Sequence, residues 1–324
     1  MMKQCIFILL CFSSLNLVSG QSLSPKTKRL VYKIAKYNVL TSQGVGEAGT
    51  ETNQWKRYLQ LKKLSTDTEL ISLTNHKNAV VRGYAFMALS ARNYPKLVQI
   101  LISHLKDTTR FLIFHGCLIH DIMVGDFFIY QLAPYRSNLN SFKLTKHESN
   151  VIDSIIIFDK DIILDCKTEL LYKLNKEEKY YHRVREMVIE DNNYVALIAL
   201  SKYQKQEDKE LIIQGLMSDN SDFIITSLQC VINFPDSTFF VYLKNLHSIE
   251  MMKKDNIDVH QLKSLYNAIV QYKNKHTIEL IDLTLNTLTG YALRKHNECL
   301  LTAFDNYPDV YYNEIIEKIK RIHD

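Results

Sequence analysis

The stretch from Thr66 to Leu105, TDTELISLTNHKNAVVRGYAFMALSARNYPKLVQILISHL, limits what this chain can fold into more than any other. Thr66 and Glu69 form a T-x-x-E capping box ahead of Leu70, Ile71 and Leu73. The threonine oxygen takes a first-turn N–H that has no helical partner, and the glutamate reaches back. His76-Lys77-Asn78 interrupts that helix, and Asn78 is a good N-cap for a second one. Val80, Val81, Tyr84, Ala85, Ala88 and Leu89 then fall on one broad apolar stripe, which Phe86 and Met87 widen. Asn93-Tyr94-Pro95 stops this helix, because proline disfavours helix at the residue before it and suits the first turn of a new one. Leu97, Val98, Ile100, Leu101 and Leu105 carry the next. A helix pair of this kind cannot cover its own apolar faces. Neighbouring pairs on each side do so, which is the logic of stacked helical repeats.

The rest of the chain supports a helical reading. Its 324 residues include 9 glycines and 5 prolines, well below the usual frequencies of about 7% and about 5%. Strand-turn-strand folds need more punctuation than this. Three of the prolines stand in an Asn-aromatic-Pro junction: Asn93-Tyr94-Pro95, Asn233-Phe234-Pro235 and Asn306-Tyr307-Pro308. The junctions fit a period of about 36 residues, as four units and then two. Ser22 to Leu40 has helical spacing, Gly125-Asp126 is placed to turn the chain between two apolar segments, and Thr145 with Glu148 makes a second capping box. Lys173 to His182 is a charged, tyrosine-rich linker. The expected organisation is a signal peptide (1–20), a helical lead-in with a glycine-rich loop (21–65), and two sets of helical repeats (66–172 and 173–324).

Met1 to Gly20 reads as a secretory signal: Lys3 as the basic region, CIFILLCF as the apolar core, and Val18 and Gly20 as small residues before a cut after Gly20. The mature protein is then exported (periplasmic, cell-envelope or secreted). No later stretch is apolar enough for a membrane span. The formal charge of +5 loses only Lys3 with the signal. Basic and acidic residues are interspersed, which argues against a nucleic-acid partner. Cys117, Cys166, Cys230 and Cys299 remain, far apart and beside apolar residues. They allow three disulfide pairings, but read more simply as small buried hydrophobes.

Motifs that would carry chemistry are weak. Gly44-Val45-Gly46-Glu47-Ala48-Gly49 matches G-x-G-x-x-G. A dinucleotide-binding turn needs a strand before it, whereas the preceding residues read as amphipathic helix, so a helix–helix connector is expected. His115 and His120, read as helical, diverge by roughly 140°, so no metal site is expected. Asp159/Asp161 and Glu177/Glu178 stand in lysine-rich surroundings and read as solvated charge rather than a paired-acid site. Tyr180-Tyr181 and Tyr311-Tyr312 suit either packing between helices or contact with a partner. No cofactor is expected.

Asn78-Ala79-Val80-Val81-Arg82-Gly83-Tyr84-Ala85, continuing to Ala88-Leu89, resembles the second helix of a HEAT repeat: Asp or Asn at the inter-helix turn, then V-R, then A-x-x-A-L. The segment from about Gly46 to Asp126 also resembles exported bacterial proteins of unknown function with HEAT-like repeats. The match is specific over Asp67–Leu105. Asp191–Leu200 and Ser218–Leu228 lack the arginine. The resemblance implies an all-α superhelix, a solenoid of irregular HEAT-like pairs, in which Arg82 and Asn78 are structural, bridging repeats and turn carbonyls. It also implies a non-catalytic scaffold that offers a concave helical surface to a protein partner. The alternative is an enzyme or enzyme accessory of a HEAT-like lyase type.

Overall fold

The structure is a computed structural model that describes residues 23–132, 142–253 and 255–323. The expected signal peptide, 1–20, lies outside the described residues. The chain groups into two compact units, Met1–Lys167 and Thr168–Asp324.

The first unit runs α1 (Pro25–Tyr37), β1 (Val39–Val45), α2 (Asn53–Leu64), α3 (Asp67–Thr74), α4 (Ala79–Ala91), α5 (Leu97–Ser103), β2 (Arg110–Gly116), β3 (Leu118–Met123), α6 (Val124–Leu132) and α7 (Lys146–Phe158). The strands form one mixed sheet in the order β1-β2-β3. β1 runs parallel to β2 with Val39 opposite Leu112, and β2 runs antiparallel to β3 with Phe111 opposite Ile122.

This sheet overturns the all-α superhelix. The fold is mainly helical with a small three-strand mixed sheet. The physical reasons are local. Asn38 takes a left-handed conformation at the end of α1, a cap that asparagine tolerates, so Val39 and Leu40 leave the helix and enter β1. Along β2, Phe111 and Ile113 are buried and Leu112 between them is exposed, which is a period of two rather than 3.6. The turn lies at Gly116-Cys117, where Gly116 has φ +55. Gly125 and Asp126 are instead inside α6. A Cβ on Gly125 would stand 2.9 Å from the His104 carbonyl oxygen and from Leu164, so glycine there serves close packing.

Both capping boxes form, Thr66 with Glu69 and Thr145 with Glu148. α4 is the core of this unit. Val80, Val81, Tyr84, Ala85, Phe86, Ala88 and Leu89 are all fully buried, and Phe86 stacks on Phe128 with centroids 3.8 Å apart. α4 is covered by α3, α6, α1, α2 and the sheet, as its wide stripe requires. A Cβ on Gly83 would stand 2.9 Å from Leu40 and 3.3 Å from Phe111, so the missing side chain lets the sheet lie against α4.

α8 (Cys166–Lys173) leads into the second unit, which contains α9 (Glu178–Ile189), α10 (Ala196–Ser201), α11 (Lys209–Leu216), α12 (Ser221–Asn233), α13 (Phe240–Met252), α14 (Val259–Ile269), α15 (Lys275–Thr287), α16 (Gly290–Asn306) and α17 (Asn313–His323). α10 packs on α12, α12 on α14 and α14 on α16, while α11 packs on α13 and α13 on α15.

Candidate binding edge and a buried polar cluster

The two edges of the sheet are treated differently. Tyr84 Oη accepts the Thr41 N–H at 2.8 Å and donates to the Thr41 carbonyl at 3.1 Å, while Gln54 Nε2 donates to the Val39 carbonyl at 3.0 Å. Side chains from α4 and α2 therefore occupy the outer backbone positions of β1. Among the described residues nothing equivalent reaches β3, whose strand neighbour is β2 alone. The hairpin end of β3 is also apolar and open: Leu118 is 70% exposed and Ile119 61%. An uncovered apolar edge strand presents unpaired N–H and C=O groups to another chain.

The hairpin register re-sites the two histidines. His120 stands opposite Ile113, and His115 opposite Leu118. The two imidazoles share one face of a strand pair, so the helical divergence expected from their spacing does not apply. Both are exposed, and Asp121 on the other face pairs with Arg110 at 3.2 Å. Among the described residues no group of three or more His, Cys, Asp or Glu is placed to hold a metal ion.

The glycine-rich loop does follow a strand, contrary to the helical reading of the residues before it. Its N–H groups are nonetheless turned to local use: Val45 and Thr50 bond each other, Gly49 donates to Gly46, and Gly46 donates to Gly116. Gly46 and Gly49 carry the positive φ of a tight turn. α2 begins only at Asn53, behind its Thr52 cap, so its N-terminus does not converge on the loop as a pyrophosphate cradle would require.

Asn78 and Arg82 sit at one junction. Asn78 Oδ1 accepts the Val81 N–H, and its Nδ2 donates to Asn38 Oδ1 at 2.7 Å. Arg82 Nη1 donates to the His76 carbonyl at 2.7 Å and Nη2 to Asp107 Oδ1 at 3.3 Å. Its Nε is 3.0 Å from Asp107 Oδ2 but out of line for a hydrogen bond, so that contact is an ion pair. The side chain thereby joins the α3–α4 turn to the segment after α5.

Other sequence candidates resolve as packing or surface charge. Asp159 and Asp161 both reach Lys106, at 2.8 and 2.9 Å, and Glu177 and Glu178 pair with Lys179 and Lys205. Tyr180, Tyr181 and Tyr312 are buried, whereas Tyr311 is exposed. Cys166, Cys230 and Cys299 are buried thiols, and burial pushes Cys230 up to about 12. Cys117, at the hairpin turn, is exposed.

The sequence reading missed a polar cluster inside the second unit. His247 and Glu250 from α13, Tyr266 from α14, Thr284 from α15, and His296 and Asn297 from α16 are all essentially inaccessible. His247 Nε2 lies 2.8 Å from Thr284 Oγ1, Thr284 Oγ1 lies 3.4 Å from Tyr266 Oη, and Tyr266 Oη lies 2.7 Å from His296 Nδ1. Glu250 Oε1 accepts from Gln261 Nε2 at 2.8 Å and from Lys253 Nζ at 2.7 Å. The remaining atoms, His247 Nδ1, Glu250 Oε2, His296 Nε2 and both amide atoms of Asn297, make no hydrogen bond among the described residues. Burial pushes each histidine down to about 4; His296 lowers His247 further, and the Glu250 backbone partly opposes the shift at His296. One signal was present in the sequence. Leu243, Leu246, His247 and Glu250 share a helical stripe, which places two ionisable residues at core positions.

These features define a mainly helical protein with a small mixed sheet. Among its described residues no helix is long and apolar enough to cross a membrane. In comparison with known proteins, the chain matches no family model, no curated protein and no solved structure.

Proposed function

We propose that this is a non-catalytic, exported binding protein that takes an extended segment of a partner protein onto the outer edge of β3. The observation that carries the reading is the contrast between the two sheet edges: β1 is occupied by Tyr84 and Gln54, while among the described residues β3 has no partner on its outer side, beside exposed Leu118 and Ile119. Adding a strand supplies main-chain hydrogen bonds for affinity, and alternating side chains supply selectivity. The docking surface is thus a sheet edge, in place of the concave helical face expected from the sequence. The local likeness of Asp67–Leu105 to a HEAT repeat, a family of binding scaffolds, agrees with a role in binding. Export rests on the composition of residues 1–20.

The test is selection of random linear heptapeptides on the purified chain. Enriched peptides should be rich in β-branched and aromatic residues. Ile119→Lys, which places a charge on the edge strand, should weaken them tenfold or more, and Val310→Lys in the other unit should not. Equal binding to Ile119→Lys and the parent, or no enrichment, overturns the proposal. So does a concentration-dependent dimer that Ile119→Lys abolishes, because a second copy would then fill the edge.

A further inference from the structure

We propose that the His247–Thr284–Tyr266–His296 chain is an acid-sensitive latch: protonating its two imidazoles loosens α13–α16 while the Met1–Lys167 unit stays folded.

The argument starts from proton placement. Thr284 donates its hydroxyl to the Leu280 carbonyl at 3.1 Å, so its oxygen faces His247 as an acceptor and His247 carries its proton on Nε2. His247 Nδ1 is then a bare lone pair. A second proton there would point at no acceptor among the described residues. Tyr266 has one hydroxyl proton and two neighbours, and His296 Nδ1 at 2.7 Å is nearer than Thr284 at 3.4 Å. The proton therefore goes to His296, whose own proton sits on Nε2. Protonating His296 at Nδ1 turns that atom into a donor, so the Tyr266 hydroxyl must swing its proton away, toward Thr284 across the longer 3.4 Å gap. Either event places a positive charge in a dry interior, and the one on His247 adds an N–H with no acceptor among the described residues, a costly arrangement.

The surrounding groups do not remove this cost. α13 presents the Glu250 carboxylate, whose Oε1 is held by Gln261 and Lys253 and whose Oε2 makes no hydrogen bond among the described residues; its charge acts on Tyr266 rather than on either imidazole. The Glu250 backbone lies near enough to His296 to offset part of the effect of burial, without meeting hydrogen-bond geometry at Nε2. α14 presents Tyr266, with Lys263 acting on Cys299; α16 presents Cys299, with Glu298 and Lys295 at its rim. α15 contributes Thr284, a hydroxyl without charge. The direction of the imidazole shifts agrees, since burial lowers both and His296 lowers His247 further, while the Glu250 backbone only partly opposes the fall at His296. A histidine lowered in the closed form protonates more readily once open. The closed form is therefore fully favoured above about 6.5, and loses that advantage as pH falls toward about 4.

Hydrogen–deuterium exchange on the full chain at pH 7.5 and 5.0, corrected for intrinsic rates, tests the latch. Protection of peptides from α13–α16 should fall about tenfold or more at pH 5.0, while peptides of the first unit keep theirs. The double variant His247→Gln, His296→Gln retains donors and acceptors without titrating, and should lose the pH response. Unchanged protection, an equal loss in both units, or a pH response that survives in the variant overturns the proposal. If the variant is unfolded at pH 7.5 by circular dichroism, imidazole nitrogen shifts of the parent decide. Two rings that stay neutral with Nε2 protonated at pH 5.5 support the latch, and rings that titrate near 6.5 overturn it.

Discussion

Ser24 donates its backbone N–H to Glu69 Oε1 at 2.7 Å, across 45 residues of chain. The other carboxylate oxygen accepts the Thr66 N–H at 2.8 Å, closing the capping box of α3. One buried side chain thus holds the starts of two helices, α1 and α3. Burial raises the carboxyl, but the N–H groups of Ser24 and Thr66 and the hydroxyls of Ser24 and Thr27 outweigh it and hold Glu69 below the usual carboxylate range. The folded value lies below the unfolded one, so the stability that Glu69 contributes is present above about 4.5 and is lost as pH falls through the folded value. Glu69→Ala should cost about 2–3 kcal/mol in denaturant unfolding of the first unit at pH 7, as expected for charge-assisted bonds. Glu69→Gln should cost less. Both variants should converge on the parent as the pH is lowered below 4.5.

Arg82 should be replaceable only at a cost that depends on whether Asp107 remains. Arg82→Met keeps the aliphatic stem but leaves the Asp107 carboxylate and the His76 carbonyl without their partner. A loss of about 3 kcal/mol is expected for breaking a largely buried pair. In the Arg82→Met, Asp107→Leu double variant, part of that loss should return, because no unpaired charge remains. Equal losses in the single and double variants would assign the effect to the His76 carbonyl instead.

How much of this was readable beforehand depends on the range of the interaction. Thr66/Glu69 and Thr145/Glu148 are local chemistry three residues apart, and both boxes form as read. The α4 stripe was legible for the same reason. The sheet was not, because β1 pairs with β2 about seventy residues later in sequence, and no spacing rule within one segment reports a partner that distant. FLIFHGCLIHDIM carries apolar residues at both odd and even positions, so its period of two was hidden until burial separated Phe111 and Ile113 from Leu112. The histidine cluster was illegible for a related reason. His247 and His296 come from helices α13 and α16, and their meeting at Thr284 and Tyr266 is a product of packing. The β3 edge becomes visible only once the strand order is known.

Gly215 offers the sharpest packing test in the second unit. A Cβ added there would stand 1.8 Å from Ser227 Oγ and 2.7 Å from the Phe223 ring, both on α12. In an isolated helix, alanine would be favoured over glycine by about 1 kcal/mol. Here the overlap opposes that gain. Ser227 Oγ is buried without a hydrogen bond among the described residues, so turning it aside breaks nothing, but the Phe223 ring has atoms at 2.7 and 2.9 Å and must move with its helix. Over-packing of this kind costs about 1–3 kcal/mol, and should exceed the helix-propensity gain. Gly215→Ala is therefore expected to lower the urea midpoint of the second unit without changing its slope. Adding Phe223→Leu, which shortens the opposing side chain, should recover part of the loss. If Gly215→Ala proved stabilising, α11 and α12 would have to stand further apart than these distances allow.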